Sequence, residues 1–267
     1  MPEFTTEDVT LHYEVDGSGP PLVLIAGMMS DSASWGPLLP LLTPHFTVVR
    51  PDNRSTGRTR PWDAPAGIDL VARDAMALMR HLGHTRYHVA GHSMGGLVGL
   101  DIAGLAPEAV LSLGVLASSR TRAPRTVAVF ESLLEIRRQS ADPGLWLRAL
   151  YPWAFRPGFF EDPAHVEAAV AAALAYPHGQ STEAMAHQVA ALRRYRPAAA
   201  LEEIRCPVLV LYAGQDVLIP LPGAADPLAG IADVTIQTIE DAGHSIHWDA
   251  PEPVASALVA FALHQNL

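Results

Sequence analysis

Ser93, Asp216 and His244 are the residues of this 267-residue chain whose types and settings could break a carbonyl bond. A serine hydroxyl is a poor nucleophile at neutral pH. It attacks a carbonyl only beside a base that takes its proton, and the base needs an acid to orient it. Ser93 is the centre of Gly91-His92-Ser93-Met94-Gly95, a G-x-S-x-G pattern. The apolar run Tyr87-His88-Val89-Ala90 before it predicts a strand, and the stretch from Gly96 to Ala103 after it predicts a helix. A strand-to-helix elbow forces its central residue into a sharp turn, with glycines two before and two after leaving room for neighbouring elements. The hydroxyl is then presented at the C-terminal edge of a sheet, above a helix N-terminus.

The acid is Asp216, in Leu211-Tyr212-Ala213-Gly214-Gln215-Asp216-Val217-Leu218-Ile219-Pro220, just past a predicted strand end. The base is His244, in Asp241-Ala242-Gly243-His244-Ser245-Ile246-His247-Trp248, between the last predicted strand and the last helix. All three residues fall in loops at one sheet edge, where open α/β sheets bind ligands. Their chain order, Ser then Asp then His, is the one expected with this elbow. An oxyanion hole needs two backbone N–H donors. Met94 at the helix start and Met28, in the loop after Leu22–Ala26, are the expected donors, with Gly27 permitting the loop's backbone.

Nearby residues have plainer readings. His92 adjoins the nucleophile but points away from it, so a structural role is expected. His247 is expected to pack under the last helix. Asp241 precedes the histidine in its own loop and is expected to fall short of its far side; Asp249 is a further competitor for the role of Asp216. Asp52 and Arg54 read as an ion-paired or hydrogen-bonded loop. Trp146, Tyr151, Trp153, Phe155, Phe159 and Phe160 read as packing within one segment, with Met29, Trp146 and Trp153 expected to line the pocket.

The elements that must position these residues alternate. Val9 to Val15 alternates apolar and polar like a half-exposed edge strand, and Leu22–Ala26 is continuously apolar like a strand covered on both faces. Ser34 to Leu42 is helix-like; Phe46–Val49 is a strand; Ile68 to Leu82 has helical spacing and stops at Gly83. Strands follow at Val110–Leu116, Val208–Tyr212 and Val234–Ile239, with a last helix from Glu252 to His264. Such alternation predicts a mostly parallel sheet with helices on both faces. Between Ser118 and Ile204 it is interrupted by helices at Arg125–Gln139, Pro143–Tyr151, Pro163–Ala175 and Ser181–Arg194, read as a lid. The expected division is core over 1–119, helical lid over 120–203 and core over 204–267.

With 49% hydrophobic and 17% charged residues, the chain can fill a sizeable core. Its net charge of −10, spread without a tail, argues against nucleic acid and anionic membranes as partners. The single cysteine, Cys206, leaves no internal disulfide and reads as a buried thiol. The acidic N-terminus lacks the apolar core of a secretory signal, and no apolar run reaches the ~18 residues of a membrane span. A cytoplasmic enzyme without cofactor is expected, with a homodimer as the candidate assembly. The twelve histidines show no H-x-x-x-H or H-x-H pair with nearby carboxylates, so no metal site is expected.

Over essentially its full length the chain resembles the α/β-hydrolase superfamily. The matching pieces are Ala26–Trp35, Pro51–Arg58, the elbow, Gly214–Pro220 and Ala242-Gly243-His244. Two positions depart from the family pattern: Ala26 replaces a frequent His, and Ser55 replaces the glycine of D-x-R-G-x-G. The resemblance implies an eight-stranded, mostly parallel sheet with a helical lid. The expected activity is a serine hydrolase of small, apolar carboxylic esters or lactones. Enol-lactonases, which the segment from Ala186-His187-Gln188 through the Asp216 loop also resembles, use the same triad, as do carbon–carbon bond hydrolases and cofactor-free perhydrolases. A non-catalytic binding protein on the same scaffold is a further alternative. Serine at the elbow speaks against dehalogenase and epoxide hydrolase chemistry, which need an aspartate there.

Overall fold

In the computed structural model, described over residues 2–121, 123–222 and 227–264, the strands form one eight-stranded sheet. They are β1 (Glu3–Thr5), β2 (Thr10–Gly17), β3 (Pro21–Ile25), β4 (Thr47–Pro51), β5 (Tyr87–His92), β6 (Val110–Leu116), β7 (Val208–Ala213) and β8 (Val234–Ile239). Their order is β1-β2-β4-β3-β5-β6-β7-β8. The pairs β1/β2 and β2/β4 are antiparallel, and every other pair is parallel. The alternating segment that reads as an edge strand is therefore interior: Glu3–Thr5 pairs on its outer side and takes the edge. That strand is too short to announce itself by periodicity.

The helices are α1 (Leu39–Leu42), α2 (Ile68–His81), α3 (Met94–Leu105), α4 (Pro124–Gln139), α5 (Leu145–Ala154), α6 (Pro163–Ala175), α7 (Thr182–Arg194), α8 (Ile246–Asp249) and α9 (Pro251–His264). The helix-like stretch from Ser34 to Leu42 is split into a 3-10 turn at Ser32–Trp35 and α1. Pro37 and Pro40 lack the N–H groups that one continuous helix would need.

Strand side chains alternate between faces, and the core divides accordingly. Val23, Ile25, Val89 and Val115 pack toward α2, α3 and the inner sides of α4 and α7. Leu22, Leu24, Ala90 and Leu116 pack on the opposite face with Trp35, Phe46 and α9. Both faces are thus filled, and the ends of β3, β5, β6, β7 and β8 bring their following loops to one edge. Helices α4 to α7 all lie between β6 and β7 in the chain. Ser181 caps α7 by accepting from the Ala184 N–H. The buried stripe Ala184, Met185, Gln188, Val189, Ala191 and Leu192 turns one side of α7 inward. Among the described residues, no helix is long and apolar enough to cross a membrane.

Candidate active site

Strand β5 ends at His92 and α3 begins at Met94, so Ser93 alone makes the turn, with φ 54° and ψ −117°. A non-glycine residue in that region costs about 1–3 kcal/mol and persists only where its surroundings over-determine it. Here the Ser93 N–H donates to Leu116 O at 2.9 Å, and Ser118 Oγ donates to Ser93 O at 2.6 Å. The flanking glycines answer to close approach. A Cβ on Gly91 would stand 2.0 Å from Gly95 O, and one on Gly95 would stand 1.9 Å from Ile25 O.

Ser93 Oγ lies 2.9 Å from His244 Nε2, and His244 Nδ1 lies 2.8 Å from Asp216 Oδ2. The other carboxylate oxygen, Oδ1, accepts from the Leu218 and Ile219 N–H groups, each at 2.8 Å. A carboxylate only accepts, so Nδ1 carries the proton and Nε2 faces the serine as an acceptor. All three side chains are buried. The structure thus joins in one relay three residues separated by up to 151 positions.

The competitors take other places. His92 is buried and donates from Nε2 to the His244 carbonyl at 2.8 Å, which ties the elbow to the histidine loop. Its ring centroid is 4.4 Å from that of His247, which packs in turn against Trp35 at 4.9 Å. Burial holds His92 well below the usual histidine range, with the adjacent His247 and His244 adding to the effect. Burial also lowers His247 to about 3. Asp241 is exposed and pairs with Arg156. Asp249 Oδ2 accepts from the Gly243 and Arg156 N–H groups at 2.8 and 3.0 Å. Asp52 accepts from the Ser32 and Arg58 N–H groups, while Arg54 forks onto Asp74 and Asp8. That loop is held by ion pairs.

A narrow cavity of about 20 Å³ opens over Ser93. Its apolar wall is Met28, Met94, Leu97, Phe130, Leu192 and Ile219. Of its hydroxyls, Ser118, Ser119 and Thr126 are spent on the Ser93, Thr121 and Leu218 carbonyls. Among the described residues, no charged side chain lines it. Met94, as the first residue of α3, has no intrahelical acceptor for its N–H and sits at the positive end of the helix. Met28 faces the same cavity from the loop after β3.

Met29, Trp146 and Trp153 do not line this cavity. Met29 packs against the main core, and its N–H donates to Gln188 Oε1 at 2.8 Å. Trp146 belongs to a separate aromatic and aliphatic cluster around Tyr151 and Val170, with the Arg137 guanidinium 4.5 Å above its ring. Trp153 packs at the edge of the main core beneath Arg125. Apart from Trp153, the aromatic run makes a core of its own inside the inserted helices. Phe130, Leu192 and Ile219 wall the cavity instead, and nothing in the sequence separates them from ordinary core residues.

The sheet, the elbow and the Ser–His–Asp relay define an α/β hydrolase. Residues 22–257 match the alpha/beta hydrolase family, and the chain belongs to it. The "Putative carbamate hydrolase RutD" of Azorhizobium caulinodans is 28% identical over 265 residues, covering 98% of each chain. A malate-bound thermophilic esterase from Thermogutta terrifontis has a TM-score of 0.84 at 24% identity, over 100% of this chain and 99% of that one. The enol-lactonase from Burkholderia xenovorans has a TM-score of 0.81 at 24% identity, over 97% of this chain and 99% of that one. These two likenesses are of fold.

Proposed function

We propose that the protein is a serine hydrolase that cleaves a small, apolar carboxylic ester or lactone through an acyl-enzyme on Ser93. The observation that carries this reading is the unbroken relay from Ser93 Oγ through His244 to Asp216. His244 Nε2 takes the Ser93 proton as Oγ bonds to the carbonyl carbon. The tetrahedral oxyanion is held by the Met28 and Met94 N–H groups, and Asp216 stabilises the imidazolium. His244 then protonates the leaving alkoxide as its bond to carbon breaks. Water, deprotonated by the same nitrogen, attacks the acyl-enzyme and releases the acid. The narrow cavity with its apolar wall supports a small, apolar acyl group.

A carbamate substrate is the second reading, favoured by the name of the RutD relative. The same relay serves it, with a carbamoyl group in place of the acyl group. The test is hydrolysis of short aryl esters, enol lactones and aryl carbamates by the wild type and Ser93→Ala, with fluorophosphonate labelling of Ser93. Ser93→Ala is expected to lower kcat by about 10⁴-fold or more and to abolish labelling. Full turnover by that variant would overturn the mechanism. Carbamates exceeding esters in kcat/KM would select the second reading.

A further inference from the structure

We propose that Gln188, carried inward by α7, is a positioning residue that sets the oxyanion hole; this rests on the serine hydrolase reading. The Met29 N–H donates to Gln188 Oε1 across 159 residues of chain, at 2.8 Å. On the other edge of the same peptide, the Met28 carbonyl accepts from Ser30 Oγ at 3.3 Å. A peptide group is planar, so holding both its edges fixes the backbone on the C-terminal side of Met28. The Met28 N–H lies on the preceding peptide, whose Gly27 carbonyl accepts from the Ser30 N–H at 3.4 Å; this turn keeps that donor in place only while the Met28–Met29 peptide at its centre is held.

The loop needs such a hold. Met29 has φ 60°, in the left-handed region that a methionine occupies only under constraint. Ser55, where the family pattern has glycine, has φ 64° and is held by the same stretch of the insert. Gln180 Nε2 donates to Ser55 O at 2.7 Å and to Gln188 Oε1 at 3.2 Å, and His187 Nδ1 lies 3.0 Å from Ser55 Oγ. Tyr176 OH adds a bond to Asp31 Oδ2 at 2.8 Å, further along the oxyanion loop. Residues 176–188 therefore seat two strained core loops together.

Gln188 itself is only half satisfied. It is 3% exposed, and its Nε2 has no protein partner among the described residues. A leucine would pack there without that unpaired donor, at the cost of leaving the Met29 N–H unpaired.

The experiment compares Gln188→Leu, which removes the acceptor, with Gln188→Glu, which retains an oxygen for the Met29 N–H. The probes are 4-nitrophenyl acetate for turnover and phenyl trifluoromethyl ketone, which forms a tetrahedral adduct on the serine. Gln188→Leu is expected to lower kcat about 10–100-fold, part of the loss on removing a whole oxyanion donor. KM should change less than about threefold, and ketone affinity should fall in parallel with kcat. Tm should stay within about 3 °C, and Gln188→Glu should restore kcat to within about fivefold of wild type. Should the leucine variant not fold, Gln188→Met reads the same loss. The inference is overturned if Gln188→Leu turns over like wild type. It is also overturned if kcat and Tm fall together without rescue by glutamate. Ser93→Ala separates the two levels: activity without Ser93 sinks the serine mechanism, whereas a dead Ser93→Ala beside a fully active Gln188→Leu sinks this inference alone.

Discussion

His247→Phe is expected to flatten the acid side of the stability curve. His247 is 3% exposed between Trp35 and His92, and its Nδ1 has no partner among the described residues. Burial lowers it from 6.5 to about 3, whereas in the unfolded chain it titrates near 6.5. Between those values the unfolded chain binds a proton that the folded one refuses, so stability falls as pH falls through that window. From pH 7.5 to 5.0 the unfolded histidine goes from about 10% to about 97% protonated, while the folded one stays neutral. The loss is RT times the difference of ln(1 + 10^1.5) and ln(1 + 10^−1), or about 2 kcal/mol. Phenylalanine fills a similar space and cannot take up the proton. Urea unfolding at pH 7.5, 6.5, 5.5 and 5.0 should therefore show the variant gaining about 2 kcal/mol on the wild type toward pH 5. In Tm the gain is roughly 4–8 °C. The buried carboxyls of Asp31, Asp74, Asp101 and Asp249, all raised by burial, act in the opposite direction as pH falls. They are common to both proteins and cancel in the difference. Parallel curves for the two proteins would refute a histidine buried neutral at this position.

Asp216→Asn should keep the carbonyl acceptor for the Leu218 and Ile219 N–H groups while turning an N–H toward His244 Nδ1. The imidazole must then carry its proton on Nε2, and kcat for 4-nitrophenyl acetate should fall by about 10⁴-fold; a loss under tenfold would count against the relay. Arg54→Ala should leave Asp74 buried without its cation and cost about 3–5 kcal/mol in urea unfolding. Arg54→Lys should not recover this, because one ammonium cannot reproduce the fork onto Asp74 and Asp8. A shift below 1 kcal/mol for the alanine variant would refute that account.

The parts legible in the sequence are those with a local signature. The elbow carries its own strand, glycines and helix, and Asp216 and His244 stand in loops whose preceding strands are plainly apolar. The helices between β6 and β7 are readable because prolines mark the breaks among them, as Pro163 does at the start of α6. What was not legible depends on distant partners. Gln188 looks like any polar residue of an amphipathic helix until Met29 is brought to it. The conspicuous Trp146 packs in a cluster of its own and Trp153 at the edge of the main core, while ordinary residues such as Phe130 and Leu192 wall the cavity. The strand Thr10–Gly17 reads as an edge because nothing local reveals that Glu3–Thr5 covers it.

The inserted helices grip the site from a second side as well. The Ser245 N–H, next to His244, donates to Ala154 O at 2.6 Å, and the Arg156 and Gly243 N–H groups share one oxygen of Asp249. Together with the Met29–Gln188 bond, these contacts attach one body to both the histidine loop and the oxyanion loop. A swing of that body wide enough to admit a molecule would pull on the base and the oxyanion donor at once. The geometry over Ser93 and the seat of the inserted helices are therefore one construction.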